Sequence, residues 1–190
     1  MPWQGVNERD RQWLIELLKT RSYEKKKVTL ASGKESDFFI DCKQTVLTAE
    51  GHVLVGSLMF DAIERLFPSC EAVAGVELGG CPLASAVSVL SFERGKPLAA
   101  LYVRKEAKDH GSKRLVENDK SLREGIPVVV LEDVITTGGS TLKSVEKLKA
   151  VGATVLGVIA IVDRQEGGAE TIKAAGLPFV AITNKADIVD

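Results

Sequence analysis

The chain has 190 residues, 45% of them hydrophobic and 27% charged, a balance that fits one ordinary globular core and excludes a disordered, collagen-like or coiled-coil protein. Its 25 Lys and Arg nearly cancel its 26 Asp and Glu, so no global field draws it to nucleic acid or to an anionic membrane, and any anion must be held by local geometry. The charged first residues do not suit a signal peptide and the longest apolar run, residues 155–162, is too short to span a bilayer, which points to a cytoplasmic protein.

Asn7 precedes Trp13, Leu14, Leu17 and Leu18, which recur at helical spacing, with Asp10 placed to support the cap; this predicts a first helix. Lys25, Lys26 and Lys27 follow as a solvated basic run. Residues 28–30 and 37–41 flank the turn pair Ser32-Gly33 and read as a hairpin. Residues 48–67 predict a long helix with Val53, Leu54, Leu58, Ile63 and Leu66 on one broad face, and His52 inside that pattern is expected to pack.

The rhythm then changes. Apolar runs at 72–76, 98–103, 128–131, 155–162 and 179–182 lack polar alternation and are interleaved with helical patterns at 82–92, 140–150 and 169–175. That predicts an α/β protein with a mostly parallel central sheet covered by helices on both faces, binding its ligands at the carboxyl ends of the strands. Gly152 and Gly176 stand where two helices need left-handed caps. The long polar connection 104–125 is densely charged, offers almost nothing to bury, and reads as either disordered or functional, as lids are. Cys42, Cys70 and Cys81 form no CxxC pair and have no His at metal-ligand spacing, so they are expected to be buried or incidental thiols.

The chemistry concentrates in one segment. The apolar run 128–131 is followed by Glu132 and Asp133, then by Val134, Ile135, Thr136, Thr137, Gly138, Gly139, Ser140 and Thr141, where a helix opens. Small residues let the backbone curl round an anion, hydroxyls add donors, and the helix N-terminus contributes about half a positive charge. Neither GxxxxGK[ST] nor GxGxxG is present, which sets aside nucleoside triphosphates and dinucleotides. Two adjacent carboxylates would repel a triphosphate yet accept hydrogen bonds from neighbouring sugar hydroxyls, so the expected ligand is a ribose carrying a single phosphate. Taken alone, the Thr/Gly turn would equally suit a capped strand-to-helix connection; the acidic pair before it is what speaks for a site.

The full segment resembles the binding motif for phosphoribosyl pyrophosphate (PRPP) of the type I phosphoribosyltransferases. Four more stretches, 29–39, 75–84, 104–111 and 162–164, occur in the order found in the orotate phosphoribosyltransferases. The resemblance runs from about residue 20 to about residue 170 and implies the type I phosphoribosyltransferase fold in one domain, 1–190, with residues 1–45 as a helix and hairpin hood and 46–190 as the core. It implies transfer of the phosphoribosyl group of PRPP to orotate, with magnesium held mainly through PRPP rather than by side chains. It also implies a homodimer in which loop 104–125 completes the neighbouring active site.

Residue by residue, Arg104, Lys105, Lys108 and His110 gather cations suited to pyrophosphate, and His110 can donate a proton or hydrogen bond as charge develops there. Lys105, Lys108, His110 and Asp133 are the expected catalytic groups, with Glu132 and Asp133 on the ribose hydroxyls and residues 134–140 on the 5-phosphate. Arg164 can take the carboxylate of orotate bidentately; the resemblance adds Thr136 as a second contact and Phe39 as a wall of the base site. Two positions depart from the family pattern, Ala31 and Gly79 standing where some members carry Lys. Competing readings are a purine or uracil phosphoribosyltransferase, which does not need Arg164, and a PRPP-sensing regulator, which would normally carry a DNA-binding element absent here. A dinucleotide enzyme is disfavoured because no glycine fingerprint follows the first strand.

Overall fold

The computed structural model describes residues 7–29, 35–106 and 114–189. Helix α1 (Glu8–Leu17) starts where Asn7 accepts the Asp10 N–H at 3.2 Å, and it widens through Leu18–Ser22 into strand β1 (Tyr23–Thr29). β1 pairs antiparallel with β2 (Glu35–Ile40), so the hairpin exists but reaches back further than residue 28. Lys25, Lys26 and Lys27 belong to β1 and are exposed together with Glu24, which is why no polar alternation marked this strand. The Ser32-Gly33 turn lies outside the described residues.

A short helix α2 (Lys43–Val46) leads to α3 (Ala49–Leu66), capped by Thr48, whose hydroxyl accepts the Gly51 N–H at 3.0 Å. The buried side of α3 is Leu54, Val55, Leu58, Met59, Ala62 and Ile63; Val53 and Leu66, expected on that face, are exposed. At 100° per residue Val53 falls off the stripe of these buried side chains, whereas Leu66 lies at their angle and is exposed as the last residue of the helix. His52 packs as expected, half-buried with Nδ1 2.6 Å from the Val46 carbonyl oxygen.

From there the chain alternates: β3 (Ala72–Val76), α4 (Gly80–Glu93), β4 (Ala99–Val103), β5 (Val116–Glu117), β6 (Pro127–Ile135), α5 (Gly139–Ala150), β7 (Thr154–Asp163), α6 (Gly168–Ala174), β8 (Phe179–Asn184) and α7 (Lys185–Ile188). The six strands lie in the order β5-β4-β3-β6-β7-β8, all parallel except β5, which runs antiparallel to β4. One apolar cluster, containing Leu58, Ile63, Leu83 and Ile159, fills one face of the sheet and takes in Leu14 and Leu18 of α1. The other, containing Leu101, Val130, Leu148 and Ile172, fills the opposite face, as expected of a parallel sheet buried on both sides.

Two expectations need correction. The stretch 104–125 is not uniformly without a core: Val116 is buried and pairs with Val103, and Leu122 packs on the second cluster. A two-residue strand is too short to show a period, so sequence pattern could not reveal it. Second, β6 does not stop before the acidic pair but continues to Ile135, because β7 extends beside it and pairs with Glu132, Val134 and Ile135. Gly152 and Gly176 have φ of 86° and 79°, the left-handed conformation expected of them. Among the described residues no helix is long and apolar enough to cross a membrane.

Candidate functional site

The topology creates the opening. From β3 the chain crosses to β4 on one side, then returns to place β6 on the other, so β3 and β6 are neighbours whose following segments leave in opposite directions. A crevice forms at the carboxyl ends of such a pair. Here β3 pairs with β6 only as far as Gly75 and Leu131, while β6 runs on alone along β7, which brings Glu132 and Asp133 to the crevice wall.

The two carboxylates differ in surroundings. Glu132 is 6% exposed, accepts the Thr141 hydroxyl at 3.3 Å and the Asp133 N–H at 3.3 Å. Burial first, then the charge of Asp133 and a hydrogen bond with it, push the Glu132 carboxyl well above the usual carboxylate range. Asp133 is half-buried, and its Oδ1 accepts the Val134 N–H at 2.9 Å. Thr141 itself is fully buried, so its hydroxyl serves Glu132 from inside rather than lining the anion turn.

After β6, Thr136 is half-buried, Thr137, Gly139 and Ser140 are exposed, and Gly138 is buried with φ 81°. That left-handed residue reverses the chain into α5, whose first-turn N–H groups have no carbonyl partner within the helix. Segment 134–140 is therefore continuous, with its exposed members opening outward at a helix N-terminus.

Three other strand ends converge on this wall. The turn after β3 brings Gly79 so near that a Cβ there would overlap the Asp133 carboxylate, which explains why no side chain stands at this position. At the end of β4, Arg104 reaches Glu117 at 3.5 Å and Lys105 is exposed. Beyond β7, Arg164 is not a surface residue: it is 8% exposed, with Nε 3.1 Å from Glu166 Oε1 and an N–H donated to the Phe38 carbonyl at 3.1 Å.

The aromatic wall differs in detail from the expectation on Phe39. Phe38 is the buried member: it stacks on Tyr23, with ring centroids 5.2 Å apart, and lies 5.3 Å from the Arg164 guanidinium and 5.4 Å from Lys185 Nζ. Phe39, half-buried on the other side of β2, has Lys26 over its ring at 3.8 Å. Alternation along a strand sends neighbouring aromatics to opposite faces, and the sequence did not say which face meets Arg164. Lys185 carried no signal, since its helix is only four residues long.

Lys43 was also missed. It is bonded to Asp41 at 2.6 Å; that bond raises its ammonium pKa, burial opposes the rise, and the charge of Asp133 adds to it. Lys108 and His110 lie outside the described residues. Burial pushes the Cys70 and Cys81 thiols up to about 11 and the Cys42 thiol well above its usual value, in line with unreactive thiols. Among the described residues no three His, Cys, Asp or Glu side chains gather into a metal-ligand group.

Comparison with known proteins gives the family and the fold. The family model described as phosphoribosyl transferase domain matches residues 50–177. Over 185 residues the chain is 71% identical to the orotate phosphoribosyltransferase of Sorangium cellulosum strain So ce56, covering 97% of this chain and 95% of that one. It is similar to the crystal structure of Mycobacterium tuberculosis H37Rv orotate phosphoribosyltransferase in complex with iron(III) dicitrate, at a TM-score of 0.80 and 38% identity, covering 94% of this chain and 98% of that one. The structure of the same Mycobacterium enzyme in complex with PRPP matches at a TM-score of 0.77 and 35% identity over the same shares.

Proposed function

We propose, from the premise that the chain belongs to the orotate phosphoribosyltransferases of the phosphoribosyl transferase family, that its reaction runs in the crevice between β3 and β6. That reaction moves the 5-phosphoribosyl group of PRPP to a ring nitrogen of orotate, giving orotidine 5'-monophosphate and pyrophosphate in de novo pyrimidine synthesis. The observation that carries the placement is the acidic pair Glu132 and Asp133 at the crevice wall, at the head of the turn that opens α5.

Transfer from PRPP develops positive charge on the ribosyl group, which calls for electrostatic stabilisation rather than a protein nucleophile. Asp133, the more accessible carboxylate, faces that charge, while Glu132, biased by burial toward its neutral form, hydrogen-bonds the ribose diol. Residues 134–140 hold the 5-phosphate through backbone N–H groups and the Thr136, Thr137 and Ser140 hydroxyls. Arg104, Lys105, Lys108 and His110 meet the departing pyrophosphate. Arg164 and Thr136 orient orotate, with Phe38 and Phe39 at its edge.

The oxygen donors round the crevice, two carboxylates and several hydroxyls, suit a magnesium ion that keeps mainly the oxygens of PRPP as ligands. Bound in that way, magnesium offsets the charge of the leaving pyrophosphate. We further infer one domain with an N-terminal hood, residence in the cytoplasm, and a homodimer in which loop 104–125 completes the neighbouring site.

Two assays test this. Loss of orotate absorbance should require both PRPP and magnesium, with uracil, adenine and hypoxanthine giving no product; turnover of another base in place of orotate would sink the substrate assignment. Mixing two inactive variants, Asp133→Asn and His110→Ala, should restore about a quarter of normal activity if subunits exchange in a two-fold dimer and share sites. No recovery after subunit exchange would refute the shared site.

A further inference from the structure

The turn after β7 folds a carboxylate back onto Arg164. The strand ends at Asp163, and the Arg164 N–H still donates to the Ile135 carbonyl at 3.0 Å. The chain then reverses at once. Gln165 has φ 58°, a left-handed conformation that is costly for a residue with a Cβ, and its N–H is held by Asp163 Oδ1 at 2.8 Å. Gly167 follows with φ 89°. Between these two residues Glu166 lies against the side chain two positions before it, with Oε1 3.1 Å from Arg164 Nε and 2.9 Å from Arg164 Nη2.

The pair is unequal in burial. The Arg164 side chain is 9% exposed and that of Glu166 is 22% exposed. A buried guanidinium without a counter-charge is strongly disfavoured, so Glu166 supplies the negative charge that Arg164 needs when no ligand is bound. The match is also incomplete. One oxygen of Glu166 meets both nitrogens, whereas a guanidinium edge fits the two oxygens of a carboxylate side by side. The Phe38 carbonyl, which accepts from Nη2 at 3.1 Å, and the Phe38 ring, 5.3 Å away, also hold the guanidinium, so Arg164 keeps its place when Glu166 moves off.

We propose that Glu166 is a stand-in for the carboxylate of orotate: it neutralises Arg164 in the empty site, gives way when the base enters, and so sets how tightly carboxylate-bearing ligands are held. The inference rests on the reading that Arg164 takes the orotate carboxylate. Orotate brings two oxygens where Glu166 brings one, and the exchange leaves one negative charge on Arg164 before and after. Because Glu166 must be displaced, it lowers the affinity for orotate. Orotidine 5'-monophosphate carries the same carboxylate, so the return of Glu166 to Arg164 also favours release of the product.

Calorimetric titration of the full chain with orotidine 5'-monophosphate and with uridine 5'-monophosphate tests it, since the two nucleotides differ only in the carboxylate. Glu166→Gln should lower Kd for orotidine monophosphate about ten-fold, the difference between displacing a charged and a neutral partner, and leave Kd for uridine monophosphate within about two-fold of the parent. In an Arg164→Ala background the same substitution should change Kd for orotidine monophosphate by less than about two-fold, because its effect passes through Arg164. An unchanged or higher Kd for orotidine monophosphate in Glu166→Gln, or an equal fall for both nucleotides, would overturn the stand-in role; the uridine monophosphate titration also shows that the variant is folded. If Arg164→Ala binds orotidine monophosphate as tightly as the parent, the carboxylate reading falls and takes the inference with it. If Arg164→Ala weakens that nucleotide while Glu166→Gln does not tighten it, only the stand-in is refuted.

Discussion

Replacing Glu132 by Gln should make the protein more stable and a poorer enzyme at once. The carboxyl is 6% exposed, and burial, with Asp133 beside it, holds its pKa well above the ordinary 4.5. An unfolded Glu ionises freely above its ordinary value, while the folded one keeps its proton to higher pH. Folding stability of the parent therefore falls as pH rises from about 4.5 to the raised folded value, then levels off. Each unit of upward shift corresponds to about 1.4 kcal/mol lost, and about 1 kcal/mol moves Tm by roughly 2–4 °C in a domain of this size.

Gln fills the same space and can still accept the Asp133 N–H; its amide can donate to the Asp133 carboxylate as the protonated acid does. Thermal unfolding across pH 4 to 9 should show the variant level with the parent at the acid end and at least about 2–4 °C more stable at pH 8. The orotate absorbance assay should show kcat/KM for PRPP reduced about ten-fold, the loss of one hydrogen bond from the carboxyl group to the diol. A variant no more stable at pH 8 would mean that the carboxylate is not held against desolvation. One that is stabilised yet fully active would remove Glu132 from the site.

Other outcomes follow from particular contacts. Arg164→Ala should raise KM for orotate about 10- to 100-fold with little change for PRPP, since a bidentate pair with a carboxylate is lost; initial rates against each substrate check this. Gly79→Lys, which would supply the lysine seen in some relatives, should lower rather than raise activity, because its Cβ displaces the Asp133 carboxylate; equal or better kcat/KM would contradict the geometry. Gly138→Ala should cost about 1–2 kcal/mol, read by denaturant midpoint, because φ is 81° and the new Cβ would sit 3.1 Å from the Gly168 carbonyl oxygen. Chelating magnesium should abolish turnover with PRPP while leaving Tm of the ligand-free protein unchanged; a large fall in Tm would instead point to a structural metal.

The sequence alone determined the class of fold and the chemical centre. Both are local: apolar runs without alternation read as buried strands, and the order of Glu132, Asp133 and the Thr/Gly turn is the arrangement proposed to hold a ribose phosphate. Helices announced themselves through Asn7, Gly152 and Gly176, because caps depend on residues a few positions apart. Tertiary structure decided what depends on distant segments. Only the sheet order places β6 next to β3, which puts the acidic pair at a crevice and Gly79 against Asp133. Only packing shows Arg164 buried on Phe38, β5 pairing back on β4, and Lys147 reaching the carbonyls 42 and 43 residues before it. Such contacts join side chains whose separation along the chain bears no period, so they become visible once the backbone has brought them together.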